Sequence, residues 1–278
     1  MKKIFLILIT LVPFLTKAQV TLIPDQNFEQ RLINMNIDSD GVINGQILTS
    51  DAIAATYLVT GGQYYPIDLT GLDAFINLET LDCYYTPVNG YATFTGMINV
   101  STMLNLKELN VAAANLSSID VSNNTLLEKI MIGNEHFMEG IVILNDIKKL
   151  DLSNNPNIKY VDTFNLFDFN FLNMRNNTAD SVVVNLGNNF NRPYNVCIEV
   201  DDPVSATNGT APYDTWIINN TSSGNHFFSD NCALSTENFI LNNFKIYPNP
   251  AAEYVSVEYD ENAGVQLRGV QILDSSGK

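Results

Sequence analysis

Residues 148–161 read Lys-Lys-Leu-Asp-Leu-Ser-Asn-Asn-Pro-Asn-Ile-Lys-Tyr-Val, and the apolar positions in and around this stretch decide the fold. Ile147, Leu150 and Leu152 form an L-x-x-L-x-L phrase in which positions 150 and 152 share one face of a strand. The phrase recurs as Leu78-Leu81-Cys83, Leu106-Leu109-Val111, Leu127-Ile130-Ile132 and Phe169-Leu172-Met174. Its middle positions 109, 130, 150 and 172 lie 21, 20 and 22 residues apart, a period in the leucine-rich range. Half-period copies sit at Leu116-Ile119-Val121 and Ile158-Val161. One such strand cannot bury its apolar face alone, so successive turns must stack. The longer step from 81 to 109 predicts an inserted loop around Tyr84 to Val100, where Gly90 and Gly96 fall.

Three residues after the last apolar position comes Asn124, Asn155 or Asn177. A buried amide there can bond the backbone groups freed where the strand bends. Thr86, Ala114 and Glu135 hold the same place in other turns, which predicts less regular geometry there. Asparagine is abundant throughout, at 37 residues of 278, in keeping with repeated turns.

Composition bounds the rest. The chain is 46% hydrophobic, 10% aromatic and only 16% charged, so it should bury a core rather than stay disordered. Fourteen Lys and Arg against thirty Asp and Glu give a net charge of −16, which repels phosphate backbones, and no nucleic-acid partner is expected. Three cysteines are too few for a disulfide-built scaffold. His136 and His226 are the two histidines, and no G-x-S-x-G, P-loop, H-E-x-x-H or C-x-x-C motif accompanies them.

Lys2 and Lys3 precede an apolar run from Ile4 to Leu15, and Thr16-Lys17-Ala18 supplies small residues before a cut after Ala18. This predicts a signal peptide at 1–18, and the run is shorter than the roughly 20 apolar residues that span a bilayer. No transmembrane segment is expected. Losing Lys2, Lys3 and Lys17 takes the net charge from −16 to −19. At the other end, Phe244-Lys245-Ile246-Tyr247-Pro248-Asn249-Pro250 is followed by alternating Tyr254-Val255-Ser256-Val257-Glu258-Tyr259 and by Asp274-Ser275-Ser276-Gly277-Lys278. The prolines break any helix, and the alternation is strand-like.

That tail resembles the type A carboxy-terminal sorting domain of the type IX secretion system, a small β-sandwich, through its "YPNP" opening, its following strand and its "D-x-x-G-K" turn. The family continues beyond that turn, so the resemblance implies an incomplete sandwich over 244–278. The repeats "NLETLDC", "SSIDVSNNTLLEKI" and "KKLDLSNNPNIKYV" resemble the short leucine-rich repeats of surface proteins exported by the same route. "IPDQNFEQRLINMNIDSDG" at 23–41 resembles their amino-terminal cap. "VCIEVDDP" at 196–203 and "FSDNCALSTENF" at 228–239 resemble the closing one. The expected fold is an α/β-type repeat solenoid of short leucine-rich repeats, with a small helical amino-terminal cap, a disulfide-closed carboxy-terminal cap and an incomplete β-sandwich tail. A parallel β-helix is the structural alternative, since it shares stacking and Asn ladders. The expected organisation is a signal peptide at 1–18, the helical cap at 19–76, the solenoid at 77–195, the closing cap at 196–236, a linker at 237–243 and the partial sorting domain at 244–278.

Within the caps, Asp25 is placed to cap a helix starting near Gln26 with Phe28, Leu32 and Ile33 on one face, and a second helix is expected from about Ser50 to Ala55. Between them Asn36, Asp38, Asp40, Gly41 and Asn44 fit positions of a calcium loop, but Ile47 stands where a bidentate carboxylate is needed. The preferred reading is an Asx turn shaped by Gly41, with no cofactor and calcium as the weaker candidate. Cys197 and Cys232 bracket the irregular 198–231 segment, where Trp216-Ile217-Ile218 suits a strand, and a bridge between them would close the cap. Cys83 reads as a small buried thiol.

No catalytic residues are assigned. Asp201-Asp202 is the nearest thing to a paired-carboxylate site of the glycoside-hydrolase kind, and neighbouring acids are more often a solvated turn. The expected activity is binding through the outward strand face: Thr80, Glu108, Lys129, Lys149 and Phe171 in one column, Asp82, Asn110, Met131, Asp151 and Asn173 in the next, and Tyr84, Ala112, Gly133, Ser153 and Arg175 in a third. Lys129, Lys149 and Arg175 supply local cations beside Tyr84 and Phe171, residue types enriched at contact hot spots. The expected ligand is a protein or a glycan, with the type IX machinery as the export partner and the outer surface of a Gram-negative bacterium, or the medium, as the destination. A spacer module without a ligand is the other reading, and a sugar-active enzyme the third.

Overall fold

Strand β1 (Val20–Leu22) pairs antiparallel with β2 (Gln46–Leu48), and between them runs α1 (Gln26–Asn34). In this computed structural model the described residues are 19–61, 68–84, 98–134, 145–177, 181–187, 195–220, 225–232, 244–247 and 256–259. The signal-peptide stretch 1–18, the linker 237–243, most of the tail, Thr86, Glu135 and His136 lie outside them. The α1 helix starts where the sequence places it: Asp25 Oδ1 accepts the N–H groups of Asn27 and Phe28 at 2.8 and 3.0 Å. Its buried face differs from expectation, because Phe28 and Leu32 are joined by Glu29 while Ile33 is half-buried. A second helix, α2 (Thr49–Ala54), follows β2 directly.

The solenoid begins earlier than residue 77. Strand β3 (Tyr57–Val59) pairs parallel with β4 (Thr80–Asp82), which pairs with β5 (Glu108–Asn110), and that with β6 (Lys129–Met131). A 3₁₀ turn at Leu72–Ala74 lies between β3 and β4. From there the chain alternates between two sheets. Strand β7 (Lys149–Asp151) leaves the first sheet, and β6 pairs instead with β8 (Tyr160–Asp162). Strand β9 (Phe171–Asn173) pairs with β7, and β10 (Val183–Leu186) returns to β8. Strand β11 (Asn195–Glu199) joins β9, the short helix α3 (Pro203–Asn208) intervenes, β12 (Ile217–Asn220) joins β10, and β13 (Asn225–Ser229) joins β11. The result is a seven-stranded sheet, β3 to β12, and a four-stranded sheet, β7 to β13, both wholly parallel.

The 20-residue step from 130 to 150 therefore crosses from one sheet to the other, and the single column expected at 109, 130, 150 and 172 is corrected. The true register partners of Ile130 are Leu109 and Val161, whereas Leu150 partners Leu172. Both sheets use the same phrase for the same reason: the middle residue of each three-residue strand from β3 to β9, such as Leu81, Ile130, Leu150 or Val161, is buried, and its neighbours alternate to the opposite face. Strand ends also look alike. Asp82, Asn110 and Asp162 in the large sheet, and Asp151 and Asn173 in the small one, each accept the N–H two residues on. Asn99 and Asp120 make the same turn and mark the small-sheet side of earlier coils, where no strand is formed.

Buried asparagines join the coils. Asn124 Nδ2 donates to the carbonyls of Val100 and Met103, and Asn155 Nδ2 donates to those of Val121 and Asn124. The third rung is Asn176, which donates to Asn155 O at 2.9 Å, and not Asn177, which is exposed at φ 55°. A second cluster holds the other corner: Asn145 Nδ2 bridges Val111 O and Ile132 O, while Asn134 and Asn165 exchange side chain-to-backbone bonds. Leucine-rich coils stacked on parallel strands and Asn rungs make a leucine-rich-repeat solenoid. The segment expected as the closing cap supplies three of its strands, including the one anticipated at Trp216–Ile218.

Cys197 and Cys232 are disulfide-bonded, and Cys83 is free and buried. The chain divides into two units, Met1–Asp230 and Asn231–Lys278. In the second, β14 (Phe244–Tyr247) and β15 (Ser256–Tyr259) form an antiparallel pair with Phe244 opposite Tyr259. No helix among the described residues is long and apolar enough to cross a membrane.

Candidate ligand-binding faces

Alternation along each three-residue strand turns the first and third side chains outward, and register stacks them into rows. On the large sheet the first row is Tyr57, Thr80, Glu108, Lys129, Tyr160, Val183 and Ile217, and the second is Val59, Asp82, Asn110, Met131, Asp162, Asn185 and Asn219. On the small sheet the rows are Lys149, Phe171, Cys197 and Phe227, then Asp151, Asn173, Glu199 and Ser229. The residues expected on one face are thus split. Thr80, Asp82, Glu108, Asn110, Lys129 and Met131 stay together, whereas Lys149, Asp151, Phe171 and Asn173 belong to the other sheet.

The three expected cations do not assemble either. Lys129 Nζ lies 5.3 Å from the Tyr160 ring centroid, and Lys149 Nζ lies 5.9 Å from that of Phe171. Arg175 bonds within the chain, to Glu199 Oε1 at 3.5 Å and the Asp230 carbonyl at 3.1 Å, with Asp201 Oδ1 4.0 Å away. Of the third column, Tyr84, Ala112 and Gly133 follow large-sheet strands, while Ser153 and Arg175 follow small-sheet ones. Gly133 is required there, since a Cβ would stand 2.6 Å from Phe164 O and 2.7 Å from Asp162 Oδ1.

Two features of the large face escaped the sequence reading. Tyr160, Asp162, Asn185 and Asn219 form one hydrogen-bonded network: Asn185 Nδ2 donates to Tyr160 Oη at 2.7 Å and to Asp162 Oδ2 at 3.0 Å, and Asn219 Nδ2 donates to Asn185 Oδ1 at 2.8 Å. Beside the strand starts, Lys107 pairs with Glu79 and Lys159 with Glu128, each at 2.8 Å. The hydrogen bond from Lys107 to Glu79 raises the lysine above its ordinary range, and that from Lys159 lowers Glu128. Both pairs are exposed and add little stability. Their signal was the alternation Glu79, Lys107, Glu128, Lys159 just ahead of each strand, visible once the register is known. The row ends are apolar and open, with Tyr57 54% and Ile217 51% exposed.

The acidic pair has structural work. Asp202 caps α3, accepting from Val204 N, Ser205 N and Ser205 Oγ, and the Ser205 backbone bond above all holds its carboxyl below the ordinary range. Asp201 Oδ2 accepts Asn177 N at 3.1 Å. His226 stands on the inward side of β13, edge-on to Phe228 at 5.6 Å, and burial pushes its pKa down. A hollow of about 290 Å³ beside it is lined by Pro203, Val204, Thr207, Asn208 and Phe228, none of which titrates. In the amino-terminal loop Asp38 and Asp40 make successive Asx turns, Asn44 Nδ2 bonds Asp40 Oδ2 at 2.8 Å, and Gly41 sits at φ 66°. Among the described residues no three His, Cys, Asp or Glu side chains gather as a metal-binding group.

No family model matches the chain, and no curated protein matches it. Three solved structures with some likeness are from Listeria monocytogenes. The functional domain of InlJ is 12% identical with a TM-score of 0.36, covering 75% of this chain, which spans 63% of that one. Internalin C2 is 12% identical (TM-score 0.34; 74% and 99% covered), and internalin F is 14% identical (TM-score 0.28; 74% and 71%). The fold assignment rests on the strand register itself.

Proposed function

We propose that the chain is an exported, non-catalytic leucine-rich-repeat protein that binds a protein partner through the outward face of its seven-stranded sheet. The observation that carries this reading is the continuity of that face. Seven strands at about 4.8 Å spacing present some 29 Å of aligned side chains, roughly the breadth of a standard protein interface. Aromatic and aliphatic side chains open at its two ends, and Lys129 with the Tyr160 network lies between them. Hydrogen bonds join Tyr160, Asp162, Asn185 and Asn219 before any partner arrives, which lowers the entropy lost on binding. The disulfide suits an oxidising, extracytoplasmic setting. The apolar leader and the "YPNP" tail support export through the type IX route to the outer surface or the medium.

The test is saturable binding of the full chain to immobilised surface proteins of host or neighbouring cells, with a glycan array alongside. A Lys129→Glu/Tyr160→Ala variant should lose binding at least tenfold, while Lys149→Glu should not. Equal loss in both would place the contact elsewhere. Glycan binding alone would change the ligand class, and a folded protein that binds nothing would favour the spacer reading. Amino-terminal sequencing of exported material should begin at Gln19.

A further inference from the structure

Between α1 and β2 the chain runs Asn36-Ile37-Asp38-Ser39-Asp40-Gly41-Val42-Ile43-Asn44, and four carboxylates belong to this corner: Asp38 and Asp40 in the loop, Glu29 on α1 and Asp51 on α2. Three of them are committed to N–H donors. The fully buried Glu29 accepts from Asn44 N, Gly45 N and Gln46 N at 2.7, 2.9 and 3.2 Å. Asp51 Oδ2 accepts Ser39 N at 3.1 Å, and Asp40 accepts Val42 N and Asn44 Nδ2. Asp38 differs. Its residue is 3% exposed, its Oδ1 receives only Asp40 N at 3.3 Å, and its Oδ2 is buried with no hydrogen-bond partner.

No lysine, arginine or histidine among the described residues forms an ion pair with any of the four. A buried carboxylate oxygen with no donor is costly, and three like charges nearby make it more so. Burial first, then Asp40, Glu29 and Asp51, push the Asp38 carboxyl above its ordinary range. We propose that the loop binds a calcium ion, with Asp38 and Asp40 as its carboxylate ligands and with amide, carbonyl and water oxygens completing the shell.

Oxygen-bearing side chains at 36, 38, 40 and 44 with glycine at the sixth place give the alternation a calcium loop uses. Gly41 at φ 66° makes the sharp turn that such a loop needs at that place. Calcium tolerates such a mixed, irregular oxygen shell, whereas magnesium demands a near-ideal octahedron. Ile47, at the twelfth place, is buried in the core, so the bidentate acid of tight sites is missing. The affinity should fall in the range of extracellular modules, about 10⁻⁴–10⁻³ M.

The experiment is a calorimetric titration of the full, chelator-stripped chain with calcium chloride, with melting curves beside it and Asp38→Asn and Asp40→Asn in parallel. A saturable one-site heat is expected, with a melting-point rise of about 3–6 °C at tenfold excess over Kd. Both variants should weaken the response at least tenfold, and Asp38→Asn should melt no lower than the stripped parent because it removes the uncompensated charge. Hydrogen exchange of the unmodified chain provides the second measurement: calcium should slow the amides of residues 38–44 selectively. Folded protein giving neither heat nor protection at about 10 mM calcium overturns the proposal. So does equal binding by Asp38→Asn, or magnesium binding as tight as calcium.

Discussion

The ammonium of Lys129 stands 5.3 Å from the centroid of the Tyr160 ring, its register partner on the neighbouring strand of the large sheet. That contact ties the outward row to the polar network behind it, because Tyr160 Oη lies 3.2 Å from Asp162 Oδ2 and accepts Asn185 Nδ2. Tyr160→Phe keeps the ring and the cation–π contact but removes the hydroxyl. It should lower the unfolding free energy by about 0.5–1.5 kcal/mol, measured by urea denaturation, while leaving ligand binding within a factor of three. Lys129→Glu should do the converse, with a stability change within about 1 kcal/mol and a large loss of binding. If the hydroxyl deletion abolished binding, the network and not the cation would be the recognition element.

Asn155 is the rung on which the stacking of the small-sheet corner depends. Its Nδ2 satisfies the Val121 and Asn124 carbonyls of the preceding coil, and its own carbonyl takes Asn176 Nδ2 of the next. Asn155→Ala strips both donors and should cost roughly 1–3 kcal/mol. Asn177→Gly, at an exposed residue with positive φ, should stay within about 0.5 kcal/mol. Comparable losses in the two variants would return the rung to position 177.

Those two residues also mark how far the sequence was legible. Asn124 and Asn155 could be assigned to buried turns because each follows L-x-L at a fixed distance, but at Asn176-Asn177 two amides compete and spacing alone chose the wrong one. Asp82-x-Tyr84 and Asp151-x-Ser153 make the same turn in different sheets, so the local phrase carries no label for the half-turn it occupies. That ambiguity puts Lys149 and Phe171 in one column with Lys129 when spacing alone is read. The helix starting after Asp25 was legible through its cap, whereas burial of Glu29 was not, since a charged side chain is buried only where backbone donors meet it. Asn145 had no repeat spacing at all, and only the chain's return brings it against Val111 and Ile132.

The cysteines separate by chemistry. Burial pushes the Cys83 thiol up to about 12, so it should resist alkylation in the native protein near pH 8 and react only after denaturation. Cys197 and Cys232 should be unreactive until reduced. A Cys197→Ser/Cys232→Ser variant opens a loop of about 36 residues and should lose roughly 3–4 kcal/mol on the chain-entropy picture. Mass mapping that finds Cys83 in a disulfide would contradict this assignment.

His226 gives the solenoid's last strand a pH dependence whose sign follows from burial. Burial disfavours the charged ring and holds its folded pKa below the unfolded value, so folding favours the neutral ring. Below about pH 6.5 the unfolded chain takes up a proton that the folded one resists, and stability falls as pH drops from there through the lowered value. Asp38 acts in the opposite sense: its pKa is raised on folding, so protonating it in acid stabilises the fold. Denaturation midpoints between pH 7.5 and 5, compared for the parent chain and His226→Gln, isolate the histidine part. The variant should flatten the fall across that window, and Asp38→Asn should not. An unchanged slope in His226→Gln would mean that the ring is as well solvated in the folded chain as in the unfolded one.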